Sequence, residues 1–246
     1  MELPKNTVHS GVASLRSLQI VHFLAELNGL ELIGGDAGDA HLEAHTQEKV
    51  CFRAGPEFGP LEGHLLIIVR ALCGLRTSGA RFHAKFADTL RELGFTPSYA
   101  DPDVWLRAAG DCYEYVVVCV DNILTALKNP KEFYEKLTSA PYNYLLKNVE
   151  ELKYHLGGDF FRDRDGTYCY GAQTYVKHLC DNYKLMFGEL PTEFHAPMEK
   201  GDQPELDDMV ELGPDGIQCF QSLMGAVQWT VTLSRFDVAH AVMSLG

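Results

Sequence analysis

The sequence lacks the features that would assign it to a membrane, secreted or repeat-containing class. No run of about 18 apolar residues occurs in its 246 residues, so no transmembrane helix is expected. The N-terminus lacks the basic and then apolar segment of a secretory signal. Its seven cysteines, an odd number without metal-ligand spacing, indicate reduced thiols inside a cell, in the cytoplasm or the nucleus.

Basic residues are also scarce. The 21 Lys and Arg are outnumbered by 34 Asp and Glu, which gives a formal net charge of −13. Because a protein that grips nucleic acid neutralises several phosphates with Lys and Arg, this charge predicts weak and strongly salt-dependent affinity for a duplex. The acidity is partly local, since residues 201–211 (GDQPELDDMVE) hold five acids and no base.

The remaining composition is that of an ordinary soluble globular protein. Apolar residues make up 46% of the chain and charged residues 22%. A chain of this length can bury a sizeable core, either as one large domain or as two small ones.

The most distinctive local pattern is a β-branched and aromatic run at residues 113–124 (YEYVVVCVDNIL), which predicts a strand. Asp121 and Asn122 interrupt the run, and the apolar pattern resumes at residues 123–127. This layout predicts a hairpin whose tight turn carries one carboxylate and one amide. Asp and Asn tolerate turn dihedrals well, so the turn taken alone fits a purely structural role equally well.

A second apolar strand, within residues 30–42, carries Asp36. Phosphoryl transfer by two Mg²⁺ ions needs carboxylates from separate strands that converge on one point, because Mg²⁺ prefers hard oxygen ligands in a compact octahedron. Asp36 and Asp121 are the candidates for this pair. We expect their carboxylates to face each other across adjacent strands.

At these positions the chain resembles the reverse transcriptase of Ty1/copia-type retrotransposons. Residues 36–42 (DAGDAHL) resemble the family's first catalytic motif, Asp-Val-x-x-Ala-Phe/Tyr-Leu, and residues 119–122 (CVDN) stand where the family has Tyr-Val-Asp-Asp. The resemblance extends from about Ser10 to the last residue, in order and at family-like spacing. Further matching segments are 71–78 (ALCGLRTS), 151–159 (ELKYHLGGD), Gln173 with Tyr175, 196–198 (APM), 220–226 (FQSLMGA) and 234–242 (SRFDVAHAV).

The resemblance implies an α+β fold: a reverse-transcriptase palm, with an antiparallel sheet and helices on one face, followed by a thumb-like hairpin and helices. Residues 1–145 are expected to form partial fingers and the palm. Residues 146–246 are expected to form a primer-grip hairpin, the thumb-like helices and the start of the connection.

Periodicity and capping signals place individual elements. Ser10 is the predicted N-cap of the first helix, residues 79–93 form the clearest amphipathic helix, and Pro130 is the first residue of another. Residues 152–161 and 167–170 are predicted to pair as a second hairpin. Other predicted elements are strands at 49–52, 63–70 and 104–106 and helices at 173–187, 217–233 and 236–244.

For an active family member, the resemblance implies a nucleotidyl-transfer centre with two Mg²⁺ ions as cofactors. The catalytic residues would be Asp36, Asp121 and Asn122, with Asp36 and Asp121 holding metal. The nucleotide-binding residues would be Ala37, Ala40, His41 and Thr77. The primer-template contacts would be Arg76, Cys119, Gly157 and Gly158, where the two glycines either let nucleic acid approach closely or form a β-bulge.

Several positions depart from the family pattern. Asn122 replaces an acid, Cys119 an aromatic, His41 a Phe or Tyr, and Thr77 a Gln. Only nine residues precede the predicted first helix, so the basic fingers residues that hold a triphosphate are not expected, nor are ribonuclease H, protease or integrase domains. Losing one positioned electrostatic group commonly costs about 10²–10³ in rate, so we expect impaired or absent polymerisation.

Three interpretations therefore stay open. The chain is an RNA-directed DNA polymerase, a catalytically dead retrotransposon-derived fragment that acts at most as a nucleic-acid- or protein-binding module, or an unrelated α+β protein. An active chain would bind an RNA or DNA primer-template and deoxynucleoside triphosphates. No membrane partner is expected, and self-association or pairing with a fuller Pol chain is left open.

Overall fold

The computed structural model describes residues 10–46, 49–72, 75, 77–198 and 210–245, without the side chains of His41 and Glu43. The chain divides into two compact units, Met1–Leu152 and Lys153–Gly246. No helix within these described ranges is both long and apolar enough to cross a lipid bilayer.

The first unit is built around an antiparallel sheet. Its strands are β1 (Glu31–Ala37), β2 (Cys51–Arg53), β3 (Leu65–Ile67), β4 (Thr96–Pro97), β5 (Val104–Ala109), β6 (Cys112–Cys119), β7 (Asn122–Leu127) and β8 (Leu146–Glu151). Its helices are α1 (Leu15–Leu27), α2 (Ala40–Glu43), α3 (Ser78–Glu92) and α4 (Pro130–Thr138), with a 3₁₀ segment at Pro56–Leu61. Six strands form one sheet in the order β4-β5-β6-β7-β1-β8, and β2 pairs with β3 separately.

The predicted central hairpin is confirmed as β6 and β7, which pair from Tyr115 opposite Ala126 to Cys119 opposite Asn122. The predicted turn is one residue too late, because Val120 and Asp121 form it and Asn122 is already the first residue of β7. The consecutive residues Val116, Val117 and Val118 are all buried. Successive side chains of a strand point to opposite faces, so this burial requires that both faces of β6 are covered. That is why residues 115–119 of β6 are continuously apolar rather than alternating.

Helices α3 and α4 cover one face of the sheet, over a single hydrophobic cluster. The cluster includes Phe82, Phe86 and Leu90 of α3, Phe133 and Leu137 of α4, and Trp105, Val116, Val118, Ile123 and Leu127 of the strands. Ile123 and Leu127 stand two positions apart from Thr125, so all three lie on this face of β7. The predicted amphipathic helix at 79–93 is thus confirmed as α3, which begins and ends one residue earlier than predicted.

The other face of the sheet is also covered. Leu124 and Ala126 of β7 alternate away from the α3–α4 cluster, yet they are only 2% and 0% exposed. Helix α1 contacts β7 and β1, and its buried Leu18 and Val21 are not part of that cluster. We infer that α1 packs on this second face, which differs from the predicted arrangement with all helices on one side.

The start of α1 corrects the predicted cap. Ser14, not Ser10, is the N-cap, and its Oγ accepts a hydrogen bond from the backbone N–H of Ser17 at 3.1 Å. Residues just before it instead run alongside β6, where the N–H of Ala13 donates to the carbonyl of Val118 at 3.2 Å. Ser10 satisfies the local preference for a cap, but this pairing keeps its backbone out of the helix.

The boundary between the units lies later than predicted. The predicted boundary follows residue 145, whereas the compact units divide after Leu152. The difference arises because residues 146–151, for which no strand was predicted, form β8 and pair with β1. Pairing with β1 ties this segment to the first unit.

The second unit contains a small sheet and helices. Its strands are β9 (Tyr154–His155), β10 (Gly158–Arg162) and β11 (Tyr168–Gly171), and its helices are α5 (Gln173–Phe187), α6 (Pro214–Thr232) and α7 (Ala239–Leu245), with a 3₁₀ turn at Phe236–Val238. The order in the sheet is β11-β10-β9. The predicted second hairpin is present as β10 and β11, and the predicted helix at 173–187 is confirmed. The single strand predicted at 152–161 is wrong, because a turn at Leu156–Gly157 divides it.

Candidate active site

The two predicted acidic positions meet at one end of the central sheet. Strands β1 and β7 are antiparallel neighbours, and Asp36 stands directly opposite Asn122. Asp121 precedes Asn122 in the hairpin turn, where its carbonyl accepts a hydrogen bond from the N–H of Ala37 at 2.8 Å. Directly opposed residues share a face, with Cβ atoms about 4.5–5.5 Å apart. Asp36 and Asn122 therefore lie side by side.

The face that carries Asp36 is the one away from α3 and α4. Ile33 packs against the cluster beneath α3 and α4, and Ala37 is part of it. Alternation along β1 places Asp36, between these residues, on the opposite face. Asn122 is exposed and Asp36 is half-buried, so solvent reaches this end of the sheet.

The amide of Asn122 is already engaged with its neighbour. Its Nδ2 donates to Oδ1 of Asp121 at 3.1 Å. This contact supplies a hydrogen-bond donor where a second carboxylate would repel Asp121. It also turns the amide oxygen of Asn122 away from Asp121.

The turn that carries Asp121 contains a strained residue. Val120 has φ +59° and Asp121 does not, which matches the pattern of a type II′ hairpin, with a positive φ at the first central residue only. Glycine is preferred at that position, and a β-branched residue there is an outlier. Such strain persists only where the surrounding structure imposes it, and it often occurs at functional sites.

We expect Val120→Gly to stabilise the protein by about 0.5–1 kcal/mol, because relief of the left-handed backbone outweighs the flexibility of glycine. Chemical denaturation of the purified protein measures the change. The matched control is Val149→Gly in β8, where φ is not positive and the same substitution should destabilise. A destabilised Val120→Gly protein would contradict strain at the turn.

The donor set suits a hard cation only in a limited way. Two carboxylates and one amide oxygen are the ligand types that Mg²⁺ takes, and Mg²⁺ is often held by one or two carboxylates plus substrate phosphates. In the described part of the chain, no three His, Cys, Asp or Glu side chains group as a metal site. A cation at these two candidate carboxylates would therefore depend on substrate to complete its coordination.

The predicted nucleotide-binding residues are mostly turned inward. Ala37 and Ala40 belong to the hydrophobic cluster, at 3% and 7% exposure, so only their backbone is available to a ligand. Thr77 immediately precedes α3 and is also buried. The side chain of His41 and the whole of Arg76 lie outside the described residues.

Cys119 lies in line with the acids but is covered. Cys119 is directly opposite Asn122, so it lies on the same face of the sheet as Asn122. Its backbone also forms an isolated antiparallel β-bridge with Val12. It is 5% exposed, and burial raises the pKa of its thiol to about 11. The thiol is therefore neutral at physiological pH, and little of it is accessible to a ligand.

The two glycines predicted to approach nucleic acid are packed by the protein itself. Leu156 and Gly157 both have positive φ, 50° and 92°, as the central residues of a type I′ hairpin require. A Cβ on Gly157 would lie 3.0–3.2 Å from side chains of α5, of α6 and of the residue that directly follows α6. A Cβ on Gly158 would lie 2.3 Å from the ring of Tyr170. The glycines are thus explained by a tight turn and by internal packing, not by the β-bulge that was the structural alternative.

The fold and this site together define a mixed helix-and-sheet protein whose central antiparallel hairpin carries an acid beside an acid-bearing strand. Sequence comparison relates the chain to retrotransposon Pol polyproteins. It is 23% identical over 215 residues to the retrovirus-related Pol polyprotein from transposon RE1 of Arabidopsis thaliana, covering 85% of this chain and 14% of that protein.

Two further relatives agree. The chain is 21% identical over 175 residues to a transposon Ty5-1 protein of Saccharomyces cerevisiae, covering 70% of this chain and 54% of that protein. It is 21% identical over 243 residues to the Pol polyprotein from transposon TNT 1-94 of Nicotiana tabacum, covering 96% and 18%. The chain spans about half or less of the length of these curated relatives. No protein-family model and no solved structure matches it.

These distant similarities support a copia-type transposon Pol origin for the chain.

Proposed function

We propose that the chain is a reverse-transcriptase-type nucleotidyl-transfer domain, an RNA-directed DNA polymerase by descent, whose activity is impaired in this copy. The observation that carries the proposal is the β1–β7 register, which brings Asp36 opposite Asn122 and beside Asp121. The Pol polyprotein relatives and the ordered motifs support it. The antiparallel sheet with an acid-bearing hairpin next to an acid-bearing strand is the arrangement expected of a polymerase palm.

In the proposed reaction the 3′-hydroxyl of a primer attacks the α-phosphate of a deoxynucleoside triphosphate, and pyrophosphate leaves. Divalent cations, when bound, neutralise the charge that develops on the phosphate oxygens. Asp36 and Asp121 would supply the carboxylates that hold them, and Asn122 would add its amide oxygen as a neutral ligand only after its amide releases Asp121. The exposed end of the sheet leaves room for an RNA or DNA primer-template.

Impairment follows from the state of the same residues. Asn122 provides no charge, Cys119 is covered, and Thr77 is buried. Each positioned group that a polymerase centre loses costs about 10²–10³ in rate, so their combined loss leaves little catalysis. Binding to primer-template is expected to be weak and to fall steeply with salt, because the chain carries a net charge of −13.

A primer-extension assay with Mg²⁺ or Mn²⁺ tests the proposal. We expect faint extension by the purified protein, lost in Asp36→Asn, because that substitution removes one of the two carboxylates. The control is Asp88→Asn, which changes an exposed acid of α3 paired with Arg91 and should leave extension unchanged. Equal extension by the parent and Asp36→Asn would refute the centre, and extension at the rate of an intact reverse transcriptase would refute impairment.

The alternative is a catalytically dead module that binds nucleic acid or protein. The observation that favours it is the contact between Asn122 and Asp121, which satisfies the carboxylate without a metal ion. Complete absence of extension, together with primer-template binding that Asp36→Asn does not change, would select this alternative.

A further inference from the structure

A lysine shares the cross-strand row of the candidate acids. Asp36 of β1 stands opposite Asn122 on one side and opposite Lys147 of β8 on the other. Directly opposed residues of antiparallel strands share a face, with neighbouring Cβ atoms about 4.5–5.5 Å apart. Lys147, Asp36 and Asn122 therefore form one row on the face away from α3 and α4.

An irregularity in β8 brings Lys147 onto this face. The register runs from Gly34 opposite Glu150 to Asp36 opposite Lys147, so β8 contains one residue more than β1. Asn148 lies in this bulge with φ +51°, a conformation that Asn tolerates better than most residues. Without the extra residue, Asn148 would stand opposite Asp36 and Lys147 would point to the other face.

The same bulge has a structural consequence. It sets Leu146 opposite Ala37, and Leu146 packs against the cluster beneath α3 and α4. Core packing and the direction of Lys147 are therefore fixed together by one backbone feature.

A glycine makes room for the lysine stem. A Cβ built on Gly38 would lie 2.7 Å from Cε and 3.1 Å from Cδ of Lys147. The stem thus passes closely over Gly38, which directly follows β1 and stands two residues beyond Asp36. Lys147 and Asn122 are both exposed, so solvent reaches both ends of this row.

We propose that Lys147 is the built-in counter-charge of this centre. It offsets one of the two carboxylate charges in the metal-free protein, and it lowers the affinity of the centre for divalent cations. The inference rests on the proposed function, because it assigns Lys147 a role at the same carboxylate pair. Because Asn122 is neutral, Asp36 and Asp121 contribute two negative charges and Lys147 contributes one positive charge. One net negative charge therefore remains to attract a cation.

Mn²⁺ binding to the full chain at low ionic strength tests this role. We expect Lys147→Met to bind Mn²⁺ about 3- to 10-fold more tightly than the parent, because a positive charge on the strand directly beside Asp36 is removed. Lys147→Arg keeps the charge and should bind as the parent does. The matched control is Lys131→Met, which removes a lysine from α4 on the other side of the sheet and should change affinity less than about twofold.

The outcomes separate the inference from the proposed function. Asp36→Asn should weaken Mn²⁺ binding; equal binding by the parent and Asp36→Asn would refute the metal centre itself. Binding that depends on Asp36 but is unchanged or weakened in Lys147→Met would refute only the role of Lys147. Thermal unfolding in EDTA shows whether Lys147→Met is misfolded. If it is, Lys147→Arg decides the question, since tighter Mn²⁺ binding by Lys147→Arg would contradict a charge effect.

Discussion

Replacing Asn122 by aspartate is expected to make the stability of the protein depend on divalent cations without restoring polymerisation. The substitution removes the hydrogen bond from Nδ2 to Oδ1 of Asp121 and sets two carboxylates side by side. In EDTA the free energy of unfolding should fall by about 1 kcal/mol, because one hydrogen bond is replaced by repulsion. Millimolar Mn²⁺ should recover it, because a third acid raises cation affinity.

Primer extension by Asn122→Asp should stay near the parent level, because the lost charge is one of several departures from the family pattern. Asn129→Asp is the matched control: it changes the N-cap of α4, where Asp caps as well as Asn, and should show no cation dependence. Robust extension by Asn122→Asp would show that the lost charge alone silences the centre. A melting temperature that Mn²⁺ leaves unchanged would show that no cation binds between these carboxylates.

Replacing Glu114 by alanine is expected to destabilise the first unit by about 2–4 kcal/mol, because it breaks a charged network with one buried partner. Glu114 is 6% exposed, and its Oε2 accepts two hydrogen bonds from Arg107, at 2.7 and 3.2 Å. Its Oε1 accepts the backbone N–H of Lys128 at 2.9 Å. Arg107 also lies 4.3 Å from the ring of Phe95 and donates to the carbonyl of Leu93.

Denaturant unfolding of the purified variants measures this effect. Glu114→Gln keeps the shape and one acceptor oxygen but replaces the other with an N–H donor, so it should fall between the parent and Glu114→Ala. Glu132→Ala removes an exposed carboxylate that pairs with Lys136 within one helix, and it should change stability little. Equal stability of Glu114→Ala and Glu132→Ala would show that the network contributes no more than a surface ion pair.

Local sequence patterns correctly predicted the elements whose residue types match the burial and the backbone conformation that the fold imposes on them. The run at 113–124 is β6 and the start of β7, because β-branched residues buried on both faces suit no other element. Pro130 begins α4 and Gly188 ends α5 in the left-handed conformation, as capping preferences require. Asp121 was placed correctly in the turn between β6 and β7, because Asp accepts turn geometry.

Elements that depend on distant pairing were missed. Residues 146–151 are mostly exposed and polar, so nothing local marks them as a strand, and only pairing with β1 makes them β8. Ser10 has the right side chain for a cap but is excluded because the following residues pair with β6. The turn at Leu156 was hidden because a leucine with positive φ is not expected from sequence.

The identity and order of the candidate acids follow from local sequence, since residue type and strand pattern alone locate Asp36 and Asp121. Their neighbours follow from register, which is a property of paired strands and cannot be derived from either strand alone. One extra residue in β8 decides that Lys147, rather than Asn148, stands beside Asp36. Side-chain packing likewise decides that Gly158 accommodates Tyr170. A one-residue shift reverses the face of every following side chain, and that shift becomes visible only when the strands are assembled.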